Sequence, residues 1–181
     1  MAFLRRLRAA FGLAVLWAAL CPRHAVAQRS ADEDQIKAVF LFNFAKYVDW
    51  PDSPPGTSAS IRMCVPANPQ FLTMLRTTVQ GEVVNGRPLT AIELDGLDAA
   101  RDCDILYVGN ASSADAAAWS TAVRGRQTLT VGDGTLADGI VIAFVREQNR
   151  VRFDINRGAA GQQKLAISSR LLGLARRVVD K

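Results

Sequence analysis

Histidine is almost missing from this chain. Among 181 residues there is one, His24, and it sits in the first 27. Cysteine is scarce too, with three residues and no CxxC spacing, and no apolar run reaches 18 residues. These absences exclude several function classes. Without an imidazole in the main body there is no Ser-His-Asp triad, no Cys-His pair and no histidine-containing zinc site. Two body cysteines cannot hold a structural zinc alone, so no metal and no cofactor is expected. Without a long apolar run the body has no transmembrane helix.

Residues 1–27 have the form of an export signal. Arg5, Arg6 and Arg8 make a basic start, Phe11 to Leu20 is an apolar run of ten, and Ala25-Val26-Ala27 is a small-x-small cleavage site. Phe11–Leu20 has no polar face, which argues against a buried N-terminal helix. Leu20 precedes Cys21 where a lipoprotein would want a small residue. The expected organisation is therefore a cleaved leader, 1–27, and a single exported domain, 28–181.

Cleavage changes the charge. The leader holds four of the chain's 22 basic residues and none of its 17 acids, so 18 basic residues remain against 17 acids. A net charge of +1 without an aromatic platform is not the profile of a nucleic-acid binder. Charge is nonetheless segregated. From Arg146 onward nine basic residues face three acids, while 28–145 carries nine against 14. Such a tail is either a solvated surface or a site for an acidic partner or anionic membrane. Cleavage also removes Cys21. The remaining Cys64 and Cys103 form an even pair in an oxidising compartment, which reads as a disulfide, with a reactive thiol pair as the alternative.

Ser30-Ala-Asp-Glu33 has the form of a capping box and predicts a helix from about Ala31 to Val48, stopped by Trp50-Pro51. Ile36, Phe40, Asn43, Phe44 and Tyr47 lie at helical spacing, and Val39, Leu41, Phe42 and Val48 make the other sides apolar. Such a helix is either wrapped by its own domain or covered by a partner. Strands are predicted at 61–65, 89–94, 103–108, 128–131, 140–146 and 150–156. The last two flank Glu147-Gln-Asn149 as a hairpin. Helices are predicted at 69–79, behind an Asn68 cap, and at 113–123. The tail reads as a short helix near 158–163, an extended 165–167, and a helix capped by Ser168 or Ser169 running through Val179. Asp52 to Ser60 is the one linker-like stretch. The predicted fold class is α/β: a three-layer sandwich with a mixed six-stranded sheet, about five helices and the C-terminal β-hairpin.

Three motifs have catalytic form but weak content. Gly132-Asp-Gly134 ends a predicted parallel strand, where α/β folds place ligands, yet it is not GxGxxG. Asp102 and Asp104 flank Cys103 as a carboxylate pair. Ser168-Ser169 lacks a histidine and suits a helix cap better. No catalytic residue is assigned, and the protein is not expected to be an enzyme.

Several segments together resemble the YfiR family of periplasmic proteins. Ile36-Lys-Ala-Val-Phe-Leu-Phe-Asn-Phe-Ala-Lys-Tyr-Val-Asp-Trp-Pro51 is similar to its N-terminal signature. Asn85-Gly-Arg-Pro-Leu89, Cys103-Asp-Ile-Leu-Tyr-Val108, Leu129-Thr-Val-Gly-Asp133, Asn149-Arg-Val-Arg-Phe-Asp-Ile-Asn156 and Ile167-Ser-Ser-Arg-Leu-Leu172 follow in order. The resemblance implies a repressor of a membrane-bound diguanylate cyclase. Such a protein binds the cyclase's periplasmic sensor region, thereby controlling cyclic-di-GMP signalling and biofilm formation. It is released by a peptidoglycan-associated outer-membrane lipoprotein or by a change of disulfide state. Cys64 and Cys103 match the family's main disulfide. The second pair that some members carry around the hairpin is absent here.

Carried over onto the matching segments, the partner-interface candidates are Phe40, Phe44, Tyr47 and Trp50, then Phe144 on the hairpin, and Ile167, Arg170 and Leu171 in the tail. Core packing competes at each of these positions. The partner is expected to be the cyclase's periplasmic region or another receptor, and a homodimer stays open. The alternative is a periplasmic small-molecule-binding module reporting to a membrane receptor or sensor kinase, with a pocket near Gly132–Gly134.

Overall fold

The structure, a computed structural model, describes residues 22–51, 60–109 and 111–180. Arg5, Arg6 and Arg8, the leader's apolar run and most of the linker-like stretch lie outside the described residues. The chain divides into two compact units, Met1–Asp34 and Gln35–Lys181, and the second carries the sheets.

Helix α1 spans Pro22–Tyr47. It begins nine residues before the predicted start at Ala31. Pro is favoured in the first turn, and no glycine or further proline interrupts 22–30, so Ser30 lies within the helix instead of capping it. A two-residue strand follows, β1 (Val48–Asp49). Next come β2 (Ile61–Pro66), α2 (Pro69–Val79), β3 (Val83–Val84) and β4 (Arg87–Leu94). A 3-10 helix at Leu97–Asp102 leads to β5 (Ile105–Gly109), α3 (Ser113–Ala122) and β6 (Leu129–Asp133). The hairpin is β7 (Ile142–Glu147) and β8 (Arg150–Asn156). The tail holds α4 (Arg157–Gln162), β9 (Ala166–Ile167), α5 (Ser169–Leu174) and β10 (Arg177–Val179).

Local chemistry accounts for many of these boundaries. The Asn68 Oδ1 accepts from the Phe71 amide at 3.1 Å and starts α2 at Pro69. Ser112 caps α3 by accepting from the Asp115 amide. Gln148 and Asn149 both have positive φ, 47° and 63°. A two-residue loop of that type matches strand twist and sets the hairpin register, with Phe144 opposite Phe153.

The main sheet has eight strands in the order β10-β8-β7-β6-β5-β2-β4-β3. Five neighbouring strands, β4, β2, β5, β6 and β7, run parallel; β3, β8 and β10 run against them. The sequence predicts six strands, and all six are present. The two extra strands are the edges. Short β3 carries too little periodicity to read, and β10 replaces the predicted end of the last helix. That helix stops at Leu174 because Arg176 and Arg177 reach the carboxylate of Asp154, and the Arg176 amide donates to the Phe153 carbonyl at 2.8 Å. Asp154 is 1% exposed. A buried carboxylate needs charged donors, and supplying them draws the tail onto the sheet edge.

Helices cover both faces. On one, α1, α2, α4 and α5 bury Leu41, Phe44, Phe71, Leu75, Ala160 and Leu171 against Ile61, Met63, Ile105, Val131, Phe144 and Phe153. On the other, the 3-10 helix and α3 close a smaller core around Cys64, Cys103, Leu106, Val108 and Ala143. Alternation along each strand sends successive side chains to the two cores. The result is the three-layer α/β sandwich with a mixed sheet.

Candidate functional site

Helix α1 seats one side on the sheet and turns another outward. Lys37, Ala38, Leu41, Phe44, Ala45 and Val48 are buried. Phe44 packs against Phe144 and Phe153 with ring centroids 5.7 and 5.2 Å away, and half-buried Phe40 adds contacts at 5.8 and 5.5 Å. Four aromatics in offset and edge-on contact form the centre of the larger core.

Lys37 is the unexpected member of the inner side. Its Nζ lies 2.8 Å from Asp133 Oδ2, with both side chains under a tenth exposed. The Tyr107 hydroxyl lies 3.2 and 3.1 Å from the two Asp133 oxygens and donates to that carboxylate. Asp133 is the centre of the Gly132-Asp-Gly134 motif. The carboxylate that the sequence offers as a ligand group therefore anchors α1 to the ends of β5 and β6.

With a charge drawn inward, apolar residues are left outside. Ile36 is 46% exposed and Val39 42%, on the same side as Asn43 and Lys46. Lys46 Nζ lies 3.7 Å over the Phe42 ring and covers part of it. The domain does not wrap this helix on all sides. Neither Ile36 nor Val39 belongs to the interface set carried over from the resemblance; helical spacing groups Ile36 with Phe40 and Phe44 and leaves Val39 on another side of the helix.

At the C-terminal end of α1 the first and last signature segments meet. β1 pairs antiparallel with β9, Val48 opposite Ile167 and Asp49 opposite Ala166. The Ser168 amide donates to the Tyr47 carbonyl at 3.0 Å, and Ser168 Oγ accepts from the Leu171 amide to start α5. The Arg170 guanidinium sits 5.5 Å from the Tyr47 ring centroid, within cation–π reach. Tyr47 and Ile167 are half-buried and Arg170 is exposed.

The interface set of eight thus divides. Phe40, Tyr47, Ile167 and Arg170 present surface, while Phe44, Phe144 and Leu171 are at most 2% exposed and belong to the core. Assigning surface roles to these three is corrected by the aromatic cluster and by the seating of α5 on the sheet. Trp50, at 9%, is also buried, and its indole N–H has no acceptor among the described residues.

The remaining motifs are structural. Asp104 accepts from the Arg62 amide at 2.8 Å and pairs with Arg87 at 2.9 Å, while Asp102 lies 3.4 Å from Arg62. Together they tie the start of β5 to β2 and β4. Ser168 is a helix cap. Cys64 and Cys103 are joined by a disulfide, with Cα atoms 6.0 Å apart. Part of the basic tail is neutralised internally. Arg176 pairs with Asp154 and, at 3.8 Å, with Glu147, and Arg157 pairs with Asp180 at 3.5 Å. The Arg176 hydrogen bonds are the main reason the Asp154 carboxyl is held below its ordinary range, against the opposing effect of burial. Among the described residues no group of three or more His, Cys, Asp or Glu side chains could hold a metal, and no helix is long and apolar enough to cross a membrane.

Comparison with known proteins places this arrangement. No curated protein matches. A conserved domain protein from Vibrio cholerae O1 biovar El Tor superposes with a TM-score of 0.56 at 14% identity, over 78% of this chain and 59% of that one. The chain therefore spans less than two thirds of that solved structure, which shares its fold. An ABC domain from Streptococcus pneumoniae, solved with L-Trp, aligns at a TM-score of 0.49 and 9% identity, over 65% of this chain and 55% of that one. The family model described as YfiR/HmsC-like (DUF4154) matches residues 34–176, from the last turns of α1 to the arginines beside Asp154, and the chain belongs to that family.

Proposed function

We propose that this protein is a periplasmic regulator that binds the periplasmic sensor region of an inner-membrane diguanylate cyclase and represses its output. Cyclic-di-GMP synthesis and biofilm formation would be held down while it is bound. Family membership supports the regulatory role. One structural observation carries the choice of surface: the β1–β9 pairing joins the two most specific signature segments, Ile36–Pro51 and Ile167–Leu172, at the end of a helix that exposes Ile36 and Val39. Exposed apolar residues beside an aromatic and an arginine have the composition of a protein-binding patch.

Repression on this reading is a population shift. The protein binds one conformation of the sensor region more tightly, and the shift is limited by that difference in affinity. An outer-membrane lipoprotein bound to peptidoglycan would compete for the same surface and release the cyclase. Neither role asks for catalysis, in keeping with a histidine-free body.

The test is capture of the purified domain by the immobilised periplasmic region of a membrane cyclase encoded beside it. Saturable binding that Tyr47→Ala or Arg170→Ala weakens at least tenfold is expected. Absence of binding in both the oxidised and the reduced state would overturn the reading.

A further inference from the structure

Part of the basic tail stands on a face of the sheet that the α1 surface does not use. Strand β8 sends Val151, Phe153 and Ile155 to the larger core. Alternation then puts Arg150, Arg152, Asp154 and Asn156 on the opposite side of the sheet. The smaller core, built under α3 and the 3-10 helix, takes Ala143 from β7 and no residue from β8 or β10. This end of the sheet is therefore bare on that side, and Arg150 and Arg152 are exposed there. β10 adds Arg177, opposite Asp154 in the parallel register, and Arg176 reaches the same carboxylate from the residue before.

Two acids share this face with the four arginines. Asp154 is buried and held by Arg176 and Arg177, and Glu147 lies 3.8 Å from Arg176. Arg150 and Arg152 have no ion-pair partner among the described residues. Arg177 donates to Asp154 through one terminal nitrogen, which leaves most of its N–H groups for a second anion. Every exposed side chain on this face is charged, and its apolar members, Val145 and Val179, are half-buried. A protein-binding patch is anchored by aromatic and apolar side chains, and this face has no ring. Arginine's planar fork takes phosphate oxygens in pairs. The pleat holds Arg150 and Arg152 about 7 Å apart on one strand, with Arg177 on the next. Such an array meets phosphates that lie in a plane, and each basic residue at an anionic bilayer adds to the attraction.

We propose that this face binds the surface of an anionic phospholipid bilayer, with Arg150, Arg152 and Arg177 on its phosphates. The α1 surface lies across the sheet and takes no part in the contact.

The test is flotation of the full chain, purified from the periplasm of an expression host, with protein-free vesicles. One set holds phosphatidylglycerol and phosphatidylcholine in equal parts, the other phosphatidylcholine alone. Saturable binding to the first set is expected, at least tenfold weaker to the second, and falling as salt rises. Arg150→Gln/Arg152→Gln should weaken binding at least tenfold at an unchanged Tm, because neither side chain has an ion pair to lose. Arg76→Gln/Lys164→Gln removes the same charge from exposed positions off this face and should stay within twofold. Binding that ignores lipid charge, that survives Arg150→Gln/Arg152→Gln, or that falls equally in both double variants would overturn the site. So would an absence of vesicle binding, and capture by immobilised poly-L-glutamate in its place would give the face to an acidic protein. The vesicles hold no cyclase, so this face and the proposed function fail separately.

Discussion

Lys37 and Asp133 show how one pair of side chains decides which way a helix faces. Removing both charges from water is costly, and the geometry offsets that cost only while both partners and the Tyr107 hydroxyl are in place. Lys37→Met should therefore destabilise by about 3–5 kcal/mol, because it leaves the buried Asp133 carboxylate without its cation. The double variant Lys37→Met/Asp133→Asn should regain most of that loss, as urea unfolding in a double-mutant cycle would record. A double variant as unstable as the sum of the singles would disprove the coupling. Asp154 makes a second residue-level case, with a pH signature. Its folded pKa lies below its ordinary value of 3.8, chiefly through the Arg176 hydrogen bonds. The unfolded chain then binds more protons in the window between the two values. The contribution to stability is present above about pH 4 and lost as pH falls through the lower, folded value. Thermal midpoints measured from pH 6 downward should drop below pH 4, and more shallowly in Asp154→Asn. Equal slopes would remove Asp154 from the account of acid sensitivity.

At the level of elements, what the sequence revealed depended on whether the deciding interaction was local. The α2 start at Asn68-Pro69, the α3 cap, the hairpin and the six inner strands rest on turn chemistry and periodicity, and all were legible. The outer side of α1 was not. Helical spacing groups Ile36 with Phe44, and only the pairing of Lys37 to a residue 96 positions away turns Ile36 outward. Sequence periodicity runs past the end of the last helix for a similar reason. Its apolar spacing at Leu171, Leu174 and Val178 continues past the point where Arg176 and Arg177 are drawn to Asp154. The candidate surface was legible in part: its two segments stand out in the sequence, but their meeting at β1–β9 and the withdrawal of Phe44, Phe144 and Leu171 into the core are tertiary facts. The two groups should separate in experiment. Phe44→Ala should cost about 3–5 kcal/mol by opening a cavity among the four aromatics. Arg170→Ala, at an exposed position, should leave the thermal midpoint within a degree or two and weaken partner capture. Partner capture unaffected by Arg170→Ala would move the binding surface away from the β1–β9 junction.

At the largest scale, the Gln35–Lys181 unit is unevenly clad. Four helices cover one face of the sheet, while α3 and a 3-10 helix cover the other, and the disulfide lies within that thinner layer. It links β2 to the entry of β5, two strands whose direct pairing is confined to Met63–Ile105 and Cys64–Leu106. Closing a loop with a sequence separation of 39 limits the unfolded ensemble, and the loop-entropy estimate is about 4 kcal/mol as an upper figure. For a domain of this size that corresponds to a fall of roughly 8–15 °C in Tm. Both sulfurs are buried, and β2 alternation directs Cys64 away from the core against which Tyr47 packs. Loss of the bond should therefore lower stability without reshaping the α1 surface. Cys64→Ala/Cys103→Ala, compared with the oxidised protein by calorimetry and by partner capture below the lower Tm, should melt earlier and bind equally well. An unchanged Tm would mean that packing alone holds the thin side together. Binding lost while the fold is intact would make the bond a redox control on the partner surface, acting across the sheet from one core to the other.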